Sequence, residues 1–346
     1  MNIDLAYMLR CVELARKGSG HVAPNPMVGA VLVHGQRIIG EGWHQQYGEA
    51  HAEVNCIKTV APQDLALIPE STMYVSLEPC AHFGKTPPCA DLIIAHQIPR
   101  VVIGSQDPFP DVNGKGIAKL QAAGVDVVTG IATVACEELN RRFFTFHRQH
   151  RPYVILKWAA SANGKMAANG DERLLISNDL SNRLVHQWRS EEAAILVGAR
   201  TALMDNPSLT NRMWTGNHPI RLVVDMDLSL PAHLHVFDGQ TPTIVFNTLK
   251  HDMKDALKFY QVTNDVDLVD QILHALYVLK IQSVLVEGGA KTLQAFMDQN
   301  CWDEIRVITN TTLQVDHGLQ APSVPAFGKK ETLTLLNDLV TIYYPS

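Results

Sequence analysis

At 346 residues, 46% hydrophobic and 18% charged, the chain is too long for one ordinary core and fits two domains of a globular enzyme. Its formal net charge of −6 argues against general nucleic-acid binding, which needs a basic face, yet leaves room for a phosphorylated small molecule met by a local arginine cluster. No apolar run approaches the roughly 18 residues of a membrane span, no basic stretch precedes an apolar run at the N-terminus, and six cysteines are too few for a disulfide scaffold, so a cytoplasmic protein with no membrane partner is expected.

Apolar periodicity predicts a first helix over 4–17, with Asp4 as its N-cap and Gly18 as its stop. A hairpin over 28–33 and 37–42 turns at His34-Gly35. A helix over 51–60, a strand over 72–77, a helix over 90–96, a strand over 100–104, a helix over 115–123 and a strand over 125–129 follow. One charged helix is expected over 132–149, interrupted at Arg151-Pro152. The domain boundary is placed there, giving domains over 1–148 and 149–346. The second domain alternates again, with strands over 153–160, 193–197, 220–225, 243–246, 283–286 and 305–309, and helices over 179–190, 271–280 and 290–299. The fold class is therefore α/β in both halves, sheets layered with helices.

Three residues stand at places where a metal could be held. His51 opens a predicted helix, Cys80 follows a strand that ends in Glu78-Pro79, and Cys89 follows Pro87-Pro88 at the start of another helix. A thiolate at a helix start is favoured by the dipole there. One histidine and two thiolates leave a fourth position open, the pattern of a catalytic rather than a structural zinc. Glu53, two residues after His51, is placed to move protons for a hydrolytic deamination. A closed structural site would need a fourth ligand, for which His82 is the local candidate; we assign His82 instead to the substrate pocket. Asn25, framed by Pro24 and Pro26, is a candidate hydrogen-bonder to a ribose or ring, and Lys85 a candidate cation for a phosphate. Cys11, Cys56, Cys136 and Cys301 sit among apolar or helical neighbours and are expected to be buried small hydrophobes.

In the second domain Val284-Leu285-Val286-Glu287-Gly288-Gly289 reads as a buried strand running into a glycine pair and a helix. Such a turn lets backbone approach a diphosphate at a helix N-terminus.

These motifs resemble a known family. Ala23-Pro24-Asn25-Pro26-Met27-Val28-Gly29, Gly48-Glu49-Ala50-His51-Ala52-Glu53-Val54, and the run Glu78-Pro79-Cys80-Ala81-His82-Phe83-Gly84-Lys85-Thr86-Pro87-Pro88-Cys89 are similar to the deaminase half of the bifunctional riboflavin-biosynthesis deaminase/reductases. The eight residues between Cys80 and Cys89 separate this pattern from general cytidine and tRNA adenosine deaminases, which usually have two. Leu156-Lys157-Trp158-Ala159-Ala160-Ser161-Ala162-Asn163-Gly164-Lys165, the run from Ile195 to Thr210, and Val286-Glu287-Gly288-Gly289 resemble the reductase half. The resemblance covers about 1–310 and implies a cytidine-deaminase-like three-layer domain followed by a dihydrofolate-reductase-like α/β domain. It implies one zinc per chain, NADPH as hydride donor, a pyrimidine ribotide substrate and a homo-oligomer. By the same resemblance, Ala159, Thr201, Asp205, Gly289, Ala290, Lys291, Thr292, Leu293, Gln294 and Ala295 would meet NADPH. Arg189, Leu209, Arg212 and Glu287 would meet the substrate, the two arginines suiting a phosphate. Departures fall in the reductase half: Arg173 replaces a serine and Leu175 an aromatic of the family pattern. Two other readings follow, a nucleobase or tRNA deaminase with an unrelated appendage, and a deaminase whose reductase half binds nucleotide without turnover.

Overall fold

The computed structural model describes residues 3–83, 87–169 and 174–346; Lys85 and Arg173, singled out above, lie outside the described residues. The chain divides into two compact units, Met1–Gln149 and His150–Ser346.

The N-terminal unit is a five-stranded sheet between two helical layers. Its strands are β1 (Gly29–His34), β2 (Arg37–Trp43), β3 (Thr72–Leu77), β4 (Arg100–Ser105) and β5 (Asp126–Thr129), in the order β2-β1-β3-β4-β5. β1 is antiparallel to both neighbours, while β3, β4 and β5 run parallel. Alternation along each strand sorts the two faces. Ala30, Leu32, Met73, Val75, Val101 and Ile103 bury one face under α2 (Ala52–Lys58), α3 (Cys89–Ala95) and α4 (Lys115–Ala122). Val31, Val33, Tyr74 and Val102 bury the other under α1 (Ile3–Ala15) and α5 (Thr133–Leu139).

Two expectations for this unit are corrected. Asp4 lies inside the first turn of α1 rather than at its cap, because its carboxylate accepts hydrogen bonds from Tyr74 Oη at 2.6 Å and Arg100 Nη2 at 3.0 Å. The single helix expected over 132–149 is two, α5 and α6 (Arg141–Gln149), broken at Asn140. The buried Asn140 side chain accepts from the Met27 N–H and donates to the Met27 carbonyl, both at 2.8 Å. It thereby fastens the helical layer to the segment that carries Asn25.

The C-terminal unit is built on β6 (Tyr153–Ala160), β8 (Ala194–Gly198), β9 (Ile220–Val224), β10 (Thr243–Asn247), β12 (Leu257–Gln261), β13 (Ser283–Val286) and β14 (Glu304–Asn310), which are mutually parallel. β11 (Asp252–Lys254) closes one edge and the hairpin of β16 (Lys329–Leu335) and β17 (Asp338–Tyr344) the other, both antiparallel. The order is β11-β12-β10-β9-β8-β13-β6-β14-β17-β16, and β7 (Lys165–Ala168) pairs separately with β15 (Gly318–Gln320). Val154, Leu156, Leu222, Val284 and Val286 face a core closed by α9 (Leu268–Val278) and α10 (Ala290–Asp298). Tyr153, Ile155 and Leu285 face α7 (Asp179–Glu191), and Ile195 and Val197 pack with Ala202 of α8 (Ala199–Asp205).

Helix α9 begins earlier than the apolar pattern indicated, because Asp267 caps it by accepting the Val269 N–H at 2.8 Å. Of the strands after residue 309 that escaped the sequence reading, β16 is exposed along most of its length and lacks an apolar face, whereas β17 is buried at Asp338, Val340 and Thr341. Among the described residues no helix is long and apolar enough to cross a membrane. Cys11, Cys56 and Cys136 are buried as expected, whereas Cys301 is only half-buried, at the end of α10 next to the Arg151–Asp303 pair.

Candidate functional site

In the N-terminal unit the three proposed metal ligands converge. His51 is the N-cap of α2 in an extended conformation, with its imidazole making no capping bond and so left to turn toward the thiols. Cys89 is the first residue of α3, and Cys80 comes from the loop after β3. Nδ1 of His51 lies 3.5 Å from Cys80 Sγ and 3.4 Å from Cys89 Sγ, and all three donor atoms fall within 4.8 Å of one another. Among the described residues this is the one His/Cys/carboxylate group so placed, and exposed His82 is not part of it. Its ring instead lies edge-on to Phe109 at 6.2 Å.

The electrostatics fit a cation. The Cys89 thiol, His51 and the backbone N–H of Cys89, 3.3 Å away, all turn toward the Cys80 sulfur and favour its thiolate. The Cys89 thiol is pushed up by that same contact and by burial, and the bond to Cys80 draws His51 up. Two sulfurs and an imidazole nitrogen, with no fourth protein ligand among the described residues, are a borderline-soft donor set of the kind zinc takes. Glu53 is 3% exposed, and its carboxyl is raised first by burial and then by the Cys80 charge. It hydrogen-bonds the Cys89 thiol, which puts it beside the ligands without making it one of them.

Two supporting residues had no signal in the sequence. His44 is buried, with Nδ1 3.1 Å from the Ala50 carbonyl and Nε2 3.2 Å from Asn25 Nδ2. A carbonyl can only accept, so the proton sits on Nδ1 and the bare Nε2 accepts from the Asn25 amide. This leaves the Asn25 oxygen for another partner. The second is Glu78, whose buried carboxylate accepts the backbone N–H groups of Asp107, Gly114, Gly116 and Ile117 at 2.9–3.2 Å. It ties the Cys80 loop to the start of α4, where a side chain at Gly116 would come within 1.9 Å of the Pro79 carbonyl. Close by, burial pushes the Asp107 carboxyl up to about 7.

In the C-terminal unit the candidate residues gather at the carboxyl ends of β6, β8 and β13, the usual ligand crevice of a parallel sheet. The chain leaves β13 through Glu287, Gly288 and Gly289, the two glycines at φ +157° and +58°. Thr201 of α8 packs against both glycines, where a Cβ would meet it at 3.2–3.4 Å. The turn delivers the first N–H groups of α10 unpaired within the helix. Leu293 is fully buried in the core, so its side chain is out of reach of a cofactor. Ala159 is half-buried near the end of β6, and Leu175 is 76% exposed.

The two arginines, both expected to suit a phosphate, are held differently. Arg189 meets Glu287 in a two-pronged pair at 2.7 and 2.6 Å and also donates to the Thr210 carbonyl at 3.3 Å. Lys157 adds a second cation 3.9 Å from Glu287. Burial alone would raise the Glu287 carboxyl, yet Arg189 and Lys157 hold it down at about 2. Arg212, exposed, donates through Nη1 to Thr210 Oγ1 at 3.0 Å. Leu209 is buried at φ +53°.

Residues 1–105 match the family model of the cytidine and deoxycytidylate deaminase zinc-binding region, and residues 152–313 match that of the RibD C-terminal domain. The riboflavin biosynthesis protein RibD of Bacillus amyloliquefaciens is 42% identical over 308 residues, 86% of this chain and 82% of that protein. Its counterpart in Aquifex aeolicus is 38% identical over 310 residues, covering 88% and 86%. A Thermotoga maritima crystal structure, described as a diaminohydroxyphosphoribosylaminopyrimidine deaminase/5-amino-6-(5-phosphoribosylamino)uracil reductase, superposes with a TM-score of 0.89 at 35% identity over 99% of both chains. Acinetobacter baumannii RibD superposes with a TM-score of 0.89 at 28% identity, again over 99% of both.

Proposed function

This chain belongs to the RibD family of riboflavin-biosynthesis proteins, and from that premise we propose how its residues divide the work of two reactions. It is a bifunctional enzyme, a zinc-dependent deaminase fused to an NADPH-dependent reductase. Our reading of the substrate is 2,5-diamino-6-ribosylamino-4(3H)-pyrimidinone 5′-phosphate. The first unit hydrolyses a ring amino group from it, and the second reduces the ribosyl side chain to ribityl.

His51, Cys80 and Cys89 would hold the zinc, and Arg212, Glu287 and the Gly288-Gly289 turn would flank the substrate and NADPH. When bound, zinc lowers the pKa of a water and NADPH supplies a hydride. Glu53 carries one proton from the attacking water to the ring nitrogen and a second from the resulting hydroxyl to the amine, which leaves as ammonia. Its burial fits this role, because a carboxylate with a raised pKa takes a proton from the attacking water more readily than an ordinary one. Asn25, its amide oriented by His44, offers its oxygen to the ribotide. In the reductase half Arg212 meets the phosphate, and Glu287 stays ionised to accept a sugar hydroxyl. Arg189 orients Glu287 rather than gripping phosphate itself, its fork already being filled. His82 belongs to the rim of the first pocket in this reading. The protein works in the cytoplasm as a homo-oligomer on small molecules, without nucleic acid or membrane.

The observation that carries the deaminase reading is the convergence of His51, Cys80 and Cys89 beside buried Glu53. Glu53→Ala should retain zinc by elemental analysis and lose deamination by about 10³-fold, while reduction of the already deaminated ribotide, followed at the NADPH absorbance, is unchanged. Deamination surviving in that variant removes Glu53 from the mechanism. Protein purified without chelators that carries no zinc removes the metal assignment. A reductase half that binds NADPH without oxidising it would revive the reading of a domain that only binds nucleotide.

A further inference from the structure

Residues outside the groups assigned so far hold the segment that bears Leu209 and Arg212. His186 lies on α7, one turn before Arg189, and is 6% exposed. Its Nδ1 accepts the backbone N–H of Arg212 at 3.0 Å. The preceding N–H in the chain, of Asn211, is accepted by Nδ1 of a second histidine, His218, at 3.2 Å. Between Leu209 and Arg212, Thr210 takes Arg189 on its carbonyl and the Arg212 guanidinium on its hydroxyl.

The segment needs these restraints. Leu209 has a left-handed backbone at φ +53°, a conformation that a non-glycine residue keeps only where its surroundings enforce it. An N–H that points at Nδ1 also dictates the tautomer, with the proton on Nε2. Charges around the ring agree. Burial and then the cations Arg189 of α7, Arg212 of the segment itself and Lys157 of β6 oppose a second proton, against the single carboxylate of Glu287 after β13. The imidazole is thereby brought down to about 4 and is neutral at ordinary pH.

We propose that His186 is a positioning residue of the reductase half: its bare Nδ1 fixes the Arg212 N–H and so aims Leu209 and the Arg212 side chain at the pyrimidine ribotide. The inference rests on the reductase function proposed above. It assigns His186 no contact with the reacting atoms and no part in hydride transfer. Its effect falls on substrate affinity, because the groups it steadies bind the ribotide rather than NADPH.

The test compares His186→Asn with His186→Gln. The amide oxygen of asparagine stands where Nδ1 stands, whereas that of glutamine reaches toward Nε2. Both are polar and smaller than histidine, so a general loss of packing affects both. In His186→Gln, hydrogen exchange in a peptide spanning 205–216 should quicken about tenfold. The KM for the deaminated ribotide should rise about tenfold with kcat within about twofold. The KM for NADPH and the deaminase rate should not move. In His186→Asn, exchange and KM should return to within about threefold of the unsubstituted protein. Equal behaviour of the two variants in a protein that turns over overturns the positioning role, as does a fall in kcat at constant KM. An unsubstituted protein that binds but never oxidises NADPH with the ribotide fails the function reading itself, a result read before either variant is made.

Discussion

In the N-terminal unit the candidate reacting groups meet one another at close range. Two sulfurs and an imidazole nitrogen crowd within 4.8 Å, a set that one cation satisfies. In the C-terminal unit the charges satisfy one another first, Glu287 between Arg189 and Lys157. The first site is prepared for a metal. The second is a neutralised scaffold, in which paired charges steady a few outward-facing groups such as Arg212. The origin of the geometry differs as well. His51 and Cys89 stand at helix starts, whereas His186 stands within the body of α7 and Arg189 in its last turn.

The largest effect should come from unbalancing the paired charges. Glu287→Ala leaves Arg189 buried without its carboxylate, a loss of roughly 3–5 kcal/mol from the C-terminal unit, seen as earlier denaturant unfolding, with reductase activity lost and the deaminase retained. Joint replacement by Arg189→Met and Glu287→Leu should recover most of that stability and none of the activity. If the double variant is as unstable as the single one, the pair is not the scaffold described. The acid limb follows the same pair. Glu287 is lowered from 4.5 to about 2 by its cations, so its contribution is complete above about 4.5 and drains away as the pH falls toward 2. Glu287→Gln should flatten that part of the stability–pH curve.

A smaller effect tests the metal side. Glu78 accepts four backbone N–H groups, and Glu78→Gln replaces a charged acceptor by a neutral amide. The expected cost is about 2 kcal/mol, and it should surface in chelator competition as weaker zinc retention, because Cys80 lies on the loop that Glu78 anchors. Deamination at saturating zinc should change little. Unaltered zinc retention would separate the loop anchor from the ligand set.

Much of this was legible in the chain. The N-terminal ligands fall within 51–89, and each stands beside a proline, a strand end or a helix start that marks its place. The contacts that steady them were not legible. His44 meets Asn25, and Glu78 meets Gly116, across distances in sequence that no local pattern encodes. The C-terminal site spreads over 157–295, and its glycine turn was visible while the pairing of Arg189 with Glu287 was not. An arginine alone in a helix reads equally as a solvent charge, a phosphate ligand or a buried partner, and only packing decides. The edge strand β16 escaped for the opposite reason, since a mostly exposed strand carries no burial signal.

The smallest prediction bears on the contrast between helix starts and helix bodies. Asn178 caps α7, accepting the Leu180 and Ser181 N–H groups at 3.0 and 3.1 Å and donating to the Leu335 carbonyl at 2.7 Å. Asn178→Ala frees those two donors and should cost about 1 kcal/mol, lowering the Tm of the C-terminal unit by about 2–4 °C. Loss of a cap frays the first turn, and fraying fades within a turn or so. His186 and Arg189 lie beyond that reach, toward the other end of the helix. The ribotide KM should therefore move by less than about twofold. A large rise in KM would mean that the reductase site depends on a helix start after all, as the metal ligands do.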